Sequence, residues 1–153
     1  MLNWMPSLGI SASGLTAQRL RMDVIANNIA NAQTTRTPEG GPYRREMVVL
    51  QPQYESTSFQ SVLDQVSGGG SFGQAGVEPA GVAVTGIVED PSPFKVVYDP
   101  TNPDAVNGYV QMPNVDISTE MVDMISASRA YEANVTAFDA GKQMAMDALS
   151  LGK

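Results

Sequence analysis

Two stretches of this chain repeat their apolar residues every three or four positions, and the stretch between them does not. In residues 7–36, Leu8, Ala12, Leu15, Met22, Ala26 and Ile29 line one side of a helix, interrupted by Arg19, while Ile10, Ala17, Leu20 and Val24 line the opposite side. Residues 116–151 repeat the pattern more fully. Met121, Met124, Tyr131, Val135, Phe138, Ala145 and Leu149 form one seam. Val122, Ser126, Ala130, Ala133, Ala137, Ala140, Met144 and Ala148 form a second seam of mostly small residues on the other side. Asp116 or Ser118 supplies an N-cap, and Glu120 and Asp123 sit early, where the helix dipole favours acid. At 1.5 Å per residue the predicted helices are ~40 Å and ~54 Å long.

Punctuation confirms the division. Nine of the ten prolines and ten of the fourteen glycines fall within residues 38–115, and residues 7–36 and 116–151 contain no proline. A proline inside a helix costs about 3 kcal/mol, so long helices are feasible only in the two flanks. Between them, GVAVTGIVE (81–89) alternates as a half-buried strand does, and FKVVYD (94–99) and GYVQM (108–112) are two shorter strand candidates. DPTNPDAVNG is turn-forming throughout, and VSGGGSFGQAG (66–76) reads as a flexible linker or loop. The predicted fold class is α+β: an N-terminal helix within 1–36, a β-rich middle over 37–115, and a C-terminal helix within 116–153. The two helices pack as an α-helical, coiled-coil-like layer.

A helix lying on a globular core carries one apolar stripe, and each of these carries two. Pairing the flanks as a hairpin covers one stripe of each. Leaving Ile10, Leu20, Val24, Val122 and Met144 in water, at ~2 kcal/mol each, forfeits on the order of 10 kcal/mol. That equals the whole stability of an ordinary domain. The Gly- and Pro-rich middle has little apolar surface to offer, so further chains are expected to supply the cover, and a free monomer is expected to have poorly ordered ends.

Charge and residue content narrow the function. The net charge is −7, unevenly spread: residues 1–46 carry +2 and the remainder −9, which argues against general affinity for nucleic acid. There is no histidine and no cysteine, which removes thiol nucleophiles, disulfides, the commonest zinc ligands and the usual proton shuttle at neutral pH. Asp99, Asn102, Asp104, Asn107 and Gly108 superficially resemble a calcium loop, but the spacing is wrong and turn chemistry explains them better. Glu89 and Asp90 are adjacent, so a strand would point them to opposite faces, and they read as a solvated strand end. The residues suggest no enzyme, cofactor or metal. MLNWMPSLGIS has neither a basic leader region nor an apolar core, so no secretory signal peptide is expected, and no run approaches the ~20 apolar residues of a membrane span.

Three stretches carry a family resemblance: SGLTAQRLRMDVIANNIANAQTTRTPEGGPYRRE (13–46), IVEDPSPFKVVYDPTNPDA (87–105) and GYVQMPNVDISTEMVDMISASRAYEANVTAFDAGKQMAMDAL (108–149). They resemble the flagellar axial proteins of bacteria, the family of rod and hook subunits. ANNIANAQTT is similar to a signature of the whole family, and TPEGGPYRRE to one subfamily of the proximal rod. Residues 47–86 carry no such motif. The resemblance implies a structural subunit that polymerises helically through its terminal helices into the drive shaft of the basal body, crossing the periplasm and transmitting motor torque for motility. It implies export by the flagellar type III apparatus without a cleaved signal peptide. The implied partners are copies of itself, other rod proteins and the basal-body protein that links the rod to the export gate, without nucleic acid and without insertion into the membrane. A secreted adaptor or export cap acting through its termini, and a periplasmic enzyme acting through the middle, are the competing classes.

The residues expected to form the assembly interface are Leu15, Met22, Asn27, Asn28, Ile29 and Asn31 on the N-terminal helix, with Met121, Met124, Ile125, Arg129, Tyr131, Val135 and Phe138 on the C-terminal one. Each Asn offers two donors and a two-lone-pair acceptor without net charge, suited to bonding neighbouring chains and helix termini; the alternative is a fraying helix end that merely tolerates Asn. Tyr131 and Phe138 serve either as anchors of the seam between chains or as core within one. Arg129 pairs with an acid on a neighbour or sits on a solvated face.

Overall fold

The computed structural model describes residues 5–54 and 79–151. The predicted linker at 66–76 lies outside the described residues. Helix α1 spans Met5–Ala30 and helix α2 spans Ile117–Leu151, with strands β1 (Glu46–Tyr54), β2 (Pro79–Glu89), β3 (Lys95–Tyr98) and β4 (Tyr109–Met112) between them. The Asp116 carboxylate accepts the Ser118 N–H at 3.0 Å, which makes Asp116 the N-cap of α2. Helix α1 stops earlier than residue 36. Asn31 turns its side chain back onto the Asn27 carbonyl at 3.0 Å, and residues 31–33 form a turn.

The two helices run antiparallel. Asn28 meets Glu120 at one end, Gly14 lies against Asn134, and Leu8 lies against Gly141 towards the other. A Cβ on Gly14 would sit 2.9 Å from Asn134 Nδ2, so the glycine is what allows this approach. The inward seam of α2 runs Glu120, Met124, Ala127, Tyr131, Asn134, Phe138, Gly141, Ala145, in alternating steps of four and three. That is the 3.5-residue spacing of a coiled-coil seam. Every one of these residues is buried or half-buried.

The other side of α1 is covered by β1 and β2, so the middle covers one helix and not both. The two strands pair antiparallel from Glu46↔Glu89 to Tyr54↔Pro79, with irregularities at Val49/Leu50 and Gln53/Tyr54. Val24, expected to stay bare, is buried, and Val24 and Ile25 line a cavity of about 370 Å³ with Met47, Val48 and Leu50. Strand β1 had no counterpart in the sequence reading: its apolar run Met47–Leu50 does not alternate, and Pro52 argues against a strand. Proline is tolerated because a two-stranded sheet has free edges. Strands β3 and β4 make a second antiparallel pair, Lys95↔Met112 to Tyr98↔Tyr109, with Tyr98 and Tyr109 edge-to-face at 5.2 Å.

Among the described residues the buried hydrophobic side chains are Ala17, Val24, Ile25, Val110, Val115 and Ala127, with Pro113 buried beside them. With so small a core, individual backbone contacts matter. Gly81 has φ +121°, and a Cβ there would overlap the Ser13 hydroxyl, which accepts the Val82 N–H at 3.1 Å. Gly81→Ala is therefore expected to destabilise the fold by about 1–3 kcal/mol in chemical denaturation. Gly9→Ala, on an open helix face, is expected to be neutral or stabilising by up to about 1 kcal/mol.

Candidate assembly interface

The feature that fixes the helices is a polar knot. Glu120 is 0% exposed and Asn28 1% exposed, the two most deeply buried polar side chains described. Glu120 Oε1 accepts from Arg45 Nε at 2.5 Å, and Oε2 accepts from Asn28 Nδ2 at 3.2 Å. The other Asn28 amide hydrogen goes to the Glu46 carbonyl at 2.8 Å, and Asn28 Oδ1 accepts both the Glu46 N–H and the Tyr43 hydroxyl at 3.0 Å. All four hydrogen-bonding positions of that amide are filled. Arg45 reaches on to Asp123 at 3.3 Å and Asp90 at 3.6 Å, and Asp123 also meets Arg21 at 3.7 Å.

Neighbouring residues extend the knot into a junction. Arg44 donates to the Asp90 carbonyl at 2.8 Å and lies 4.4 Å over the Phe94 ring. The Asn114 side chain accepts the Arg45 N–H at 2.8 Å and donates to the Asp90 and Ser92 carbonyls at 3.3 Å. GGPYRRE and EDPSPF thus bind one another. The Ser92 hydroxyl and N–H, followed by Arg45, hold the Asp90 carboxyl below the usual carboxylate range. Thr101 does the same for Asp99, whose loop is occupied by turn bonds. Burial, reinforced by Glu46, Glu120 and Glu89, pushes the Tyr43 hydroxyl up to about 12.

The predicted interface residues divide by position. Asn28 bonds inside its own chain rather than across to a neighbour, because burial between α1, α2 and β1 uses its whole capacity. Asn31 bonds Asn27 and accepts from Thr34, finishing α1. Met124, Tyr131 and Phe138 sit in the inward seam, so they face within the chain, and Leu15, Met22 and Ile29 are half-buried. Met121 (54%), Ile125 (56%), Val135, Arg129 and Asn27 are exposed, and Arg129 makes no ion pair among the described residues. Val122 (67%), Ile117, Met144 and Leu149 add to the bare apolar surface of α2. Reading Glu120 only as a dipole-favoured acid missed the knot; its place on the four-three repeat with Met124, Ala127 and Tyr131 was the available signal. Nothing in the sequence pairs Arg45 with it.

The acids of the knot are matched by guanidinium and amide donors, an arrangement suited to holding elements together. No group of three or more His, Cys, Asp or Glu among the described residues could hold a metal ion.

Comparison with known proteins points one way. A family profile described as "Flagella basal body rod protein" matches residues 8–36, and one described as "Flagellar basal body rod FlgEFG protein C-terminal" matches residues 106–151. A protein of Bacillus subtilis (strain 168), "Flagellar basal-body rod protein FlgC", is 55% identical over 153 residues, covering 96% of this chain and 97% of that one. The protein of the same name from Borreliella burgdorferi is 47% identical over 95% of each chain. That from Salmonella typhimurium is 40% identical over 94% of each.

Glu120→Ala leaves the Asn28 amide and Arg45 Nε without their acceptor while Arg45 keeps Asp123 and Asp90, so it is expected to cost about 1–3 kcal/mol in denaturant unfolding. Tyr43 adds a pH dependence. Its hydroxyl loses its proton near 10 in the unfolded chain and near 12 in the folded one, so its contribution is complete below pH 10 and is lost as pH rises through 12. Unfolding midpoints should fall across that window, and Tyr43→Phe should flatten the fall.

Proposed function

The chain belongs to the family of bacterial flagellar basal-body rod proteins, and from that premise we propose that it polymerises helically through its terminal helices. It is a structural subunit of the basal-body rod and belongs to no enzyme class. In the proposed reading the rod is the drive shaft of the proximal basal body, crosses the periplasm and transmits motor torque, so motility depends on it. Its partners are copies of itself, other rod proteins and the protein that joins the rod to the export gate. The flagellar type III apparatus exports the chain unfolded, without cleavage of a signal peptide. A core of a few small buried side chains suits a chain that must unfold for passage and refold at its destination. No described helix is long and apolar enough to cross a membrane.

One observation carries this reading: the outer face of α2 is left bare. Ile117, Met121 and Ile125 stand four residues apart on that face with Val122 beside them, all exposed, while the opposite seam of the same helix packs on α1. A contiguous apolar patch of this kind marks a protein contact. Those four side chains are already partly covered, so completing their burial is worth about half of ~2 kcal/mol each, on the order of 4 kcal/mol, as one contribution to association.

The test is to place charge on that face. Met121→Asp with Ile125→Asp is expected to leave helicity and export unchanged but to abolish rod assembly and swimming. Normal swimming by cells carrying the double substitution would overturn the proposal.

A further inference from the structure

The β3–β4 ribbon has a bare face of its own. In the antiparallel pairing Tyr98 stands opposite Tyr109 and Val96 opposite Gln111, so these four side chains share one face. A two-residue turn at Asn107 and Gly108, both with positive φ, sets Val106 beside Tyr109 and adds it to the row. Val96 is 62%, Tyr98 66% and Val106 72% exposed, and Tyr109 is exposed with them. Val110, on the opposite face, is buried. A two-stranded ribbon is marginal by itself, and a sheet hides an apolar face by packing it on another element. Here β3 and β4 pack on each other and on no other described helix or strand. The face is nevertheless rigid. Tyr98 lies edge-to-face on Tyr109 and over Gly108, where a Cβ would come within 2.9 Å of its ring. Rings fixed before a partner arrives lower the entropy cost of binding it.

We propose that this ribbon face receives the bare face of α2 from a second copy of the chain. Three observations select that occupant. The chain already uses this mode of packing, since the β1–β2 pair covers one side of α1. The ribbon's own α2 is out of reach. The link 113–116 between them is short, buries Pro113 and Val115, and is tied through Asn114 to the Arg45 N–H and to the Asp90 and Ser92 carbonyls. Charge also agrees. Arg129, one turn beyond Ile125 on the helix face, and Asp99, next to Tyr98 at the end of β3, are opposite in sign. Neither makes an ion pair among the described residues. A face that meets a different face on its neighbour makes a head-to-tail contact, which repeats from copy to copy, whereas a face that meets itself closes a pair. The inference rests on the proposed rod function and names the surface that α2 meets there.

Both parts of the contact are testable in the full chain. The chain contains no cysteine, so copies can be linked at chosen points in cells that carry two versions of it. One version has Met121→Cys and the other Gln111→Cys, on the ribbon face. Mild oxidation should link the mixed pair at least about tenfold more than either version links to itself. Absence of the mixed link overturns the proposal, as does equal or stronger linking of Met121→Cys chains to one another, which would mean that helix faces meet. The charges give a second readout. Arg129→Asp and Asp99→Arg should each slow spreading in soft agar at least about threefold, and the two together in one chain should recover most of that loss. A double variant as slow as the singles overturns the proposal, and so do singles that spread normally. Cells that swim without the mixed link leave the rod reading standing and remove only this choice of occupant.

Discussion

A carboxylate buried to zero exposure has to be answered, and most of this architecture is the answer to Glu120. The Arg45 guanidinium and the Asn28 amide supply its donors, and each is tied onward: Arg45 to Asp123 and Asp90, Asn28 to Tyr43 and both backbone groups of Glu46. The two helices, the loop between α1 and β1, and the turn after β2 are drawn to one point. A charge removed from water and left unpaired would cost more than the few buried apolar side chains return, so these contacts stand or fall together.

Around that point the helices are covered unequally. Helix α1 lies between α2 and the β1–β2 pair, so apolar residues on two of its sides find partners within the chain. Helix α2 is longer, 35 residues against 26, and has α1 on one side only. Its other side keeps Met121, Val122 and Ile125 in solvent. The asymmetry is geometric: one short strand pair can lie on only one of two helices. Bare apolar side chains therefore remain on α2, and also on the strands, where Ile87, Val96, Val97 and Tyr109 are exposed.

The GGPYRRE and EDPSPF stretches have an internal role. Arg44 clamps the Asp90 carbonyl and stacks on Phe94, Arg45 enters the knot, and Asn114 bridges the same carbonyls. Their polar atoms already have partners. The chemistry of those stretches serves the junction between helices and strands.

Much of this was legible beforehand. Proline-free flanks and the 3–4 spacing of Met121, Met124, Tyr131 and Phe138 determine two long helices, because only a helix brings such residues into line. Alternation around Val82, Val84 and Val88 determines a strand, while the cap of α2 was open between Asp116 and Ser118 until the fold set the Ser118 N–H on the Asp116 carboxylate. What the one-dimensional pattern left open was which stripe faces which partner: Val24 was counted as bare and is buried, Asn28 was assigned to neighbours and is consumed within, and β1 hid behind Pro52. Those questions are decided by contacts between residues as far apart as Asn28 and Glu120, or Arg45 and Asp123, and periodicity records only what lies within a few turns of the same segment.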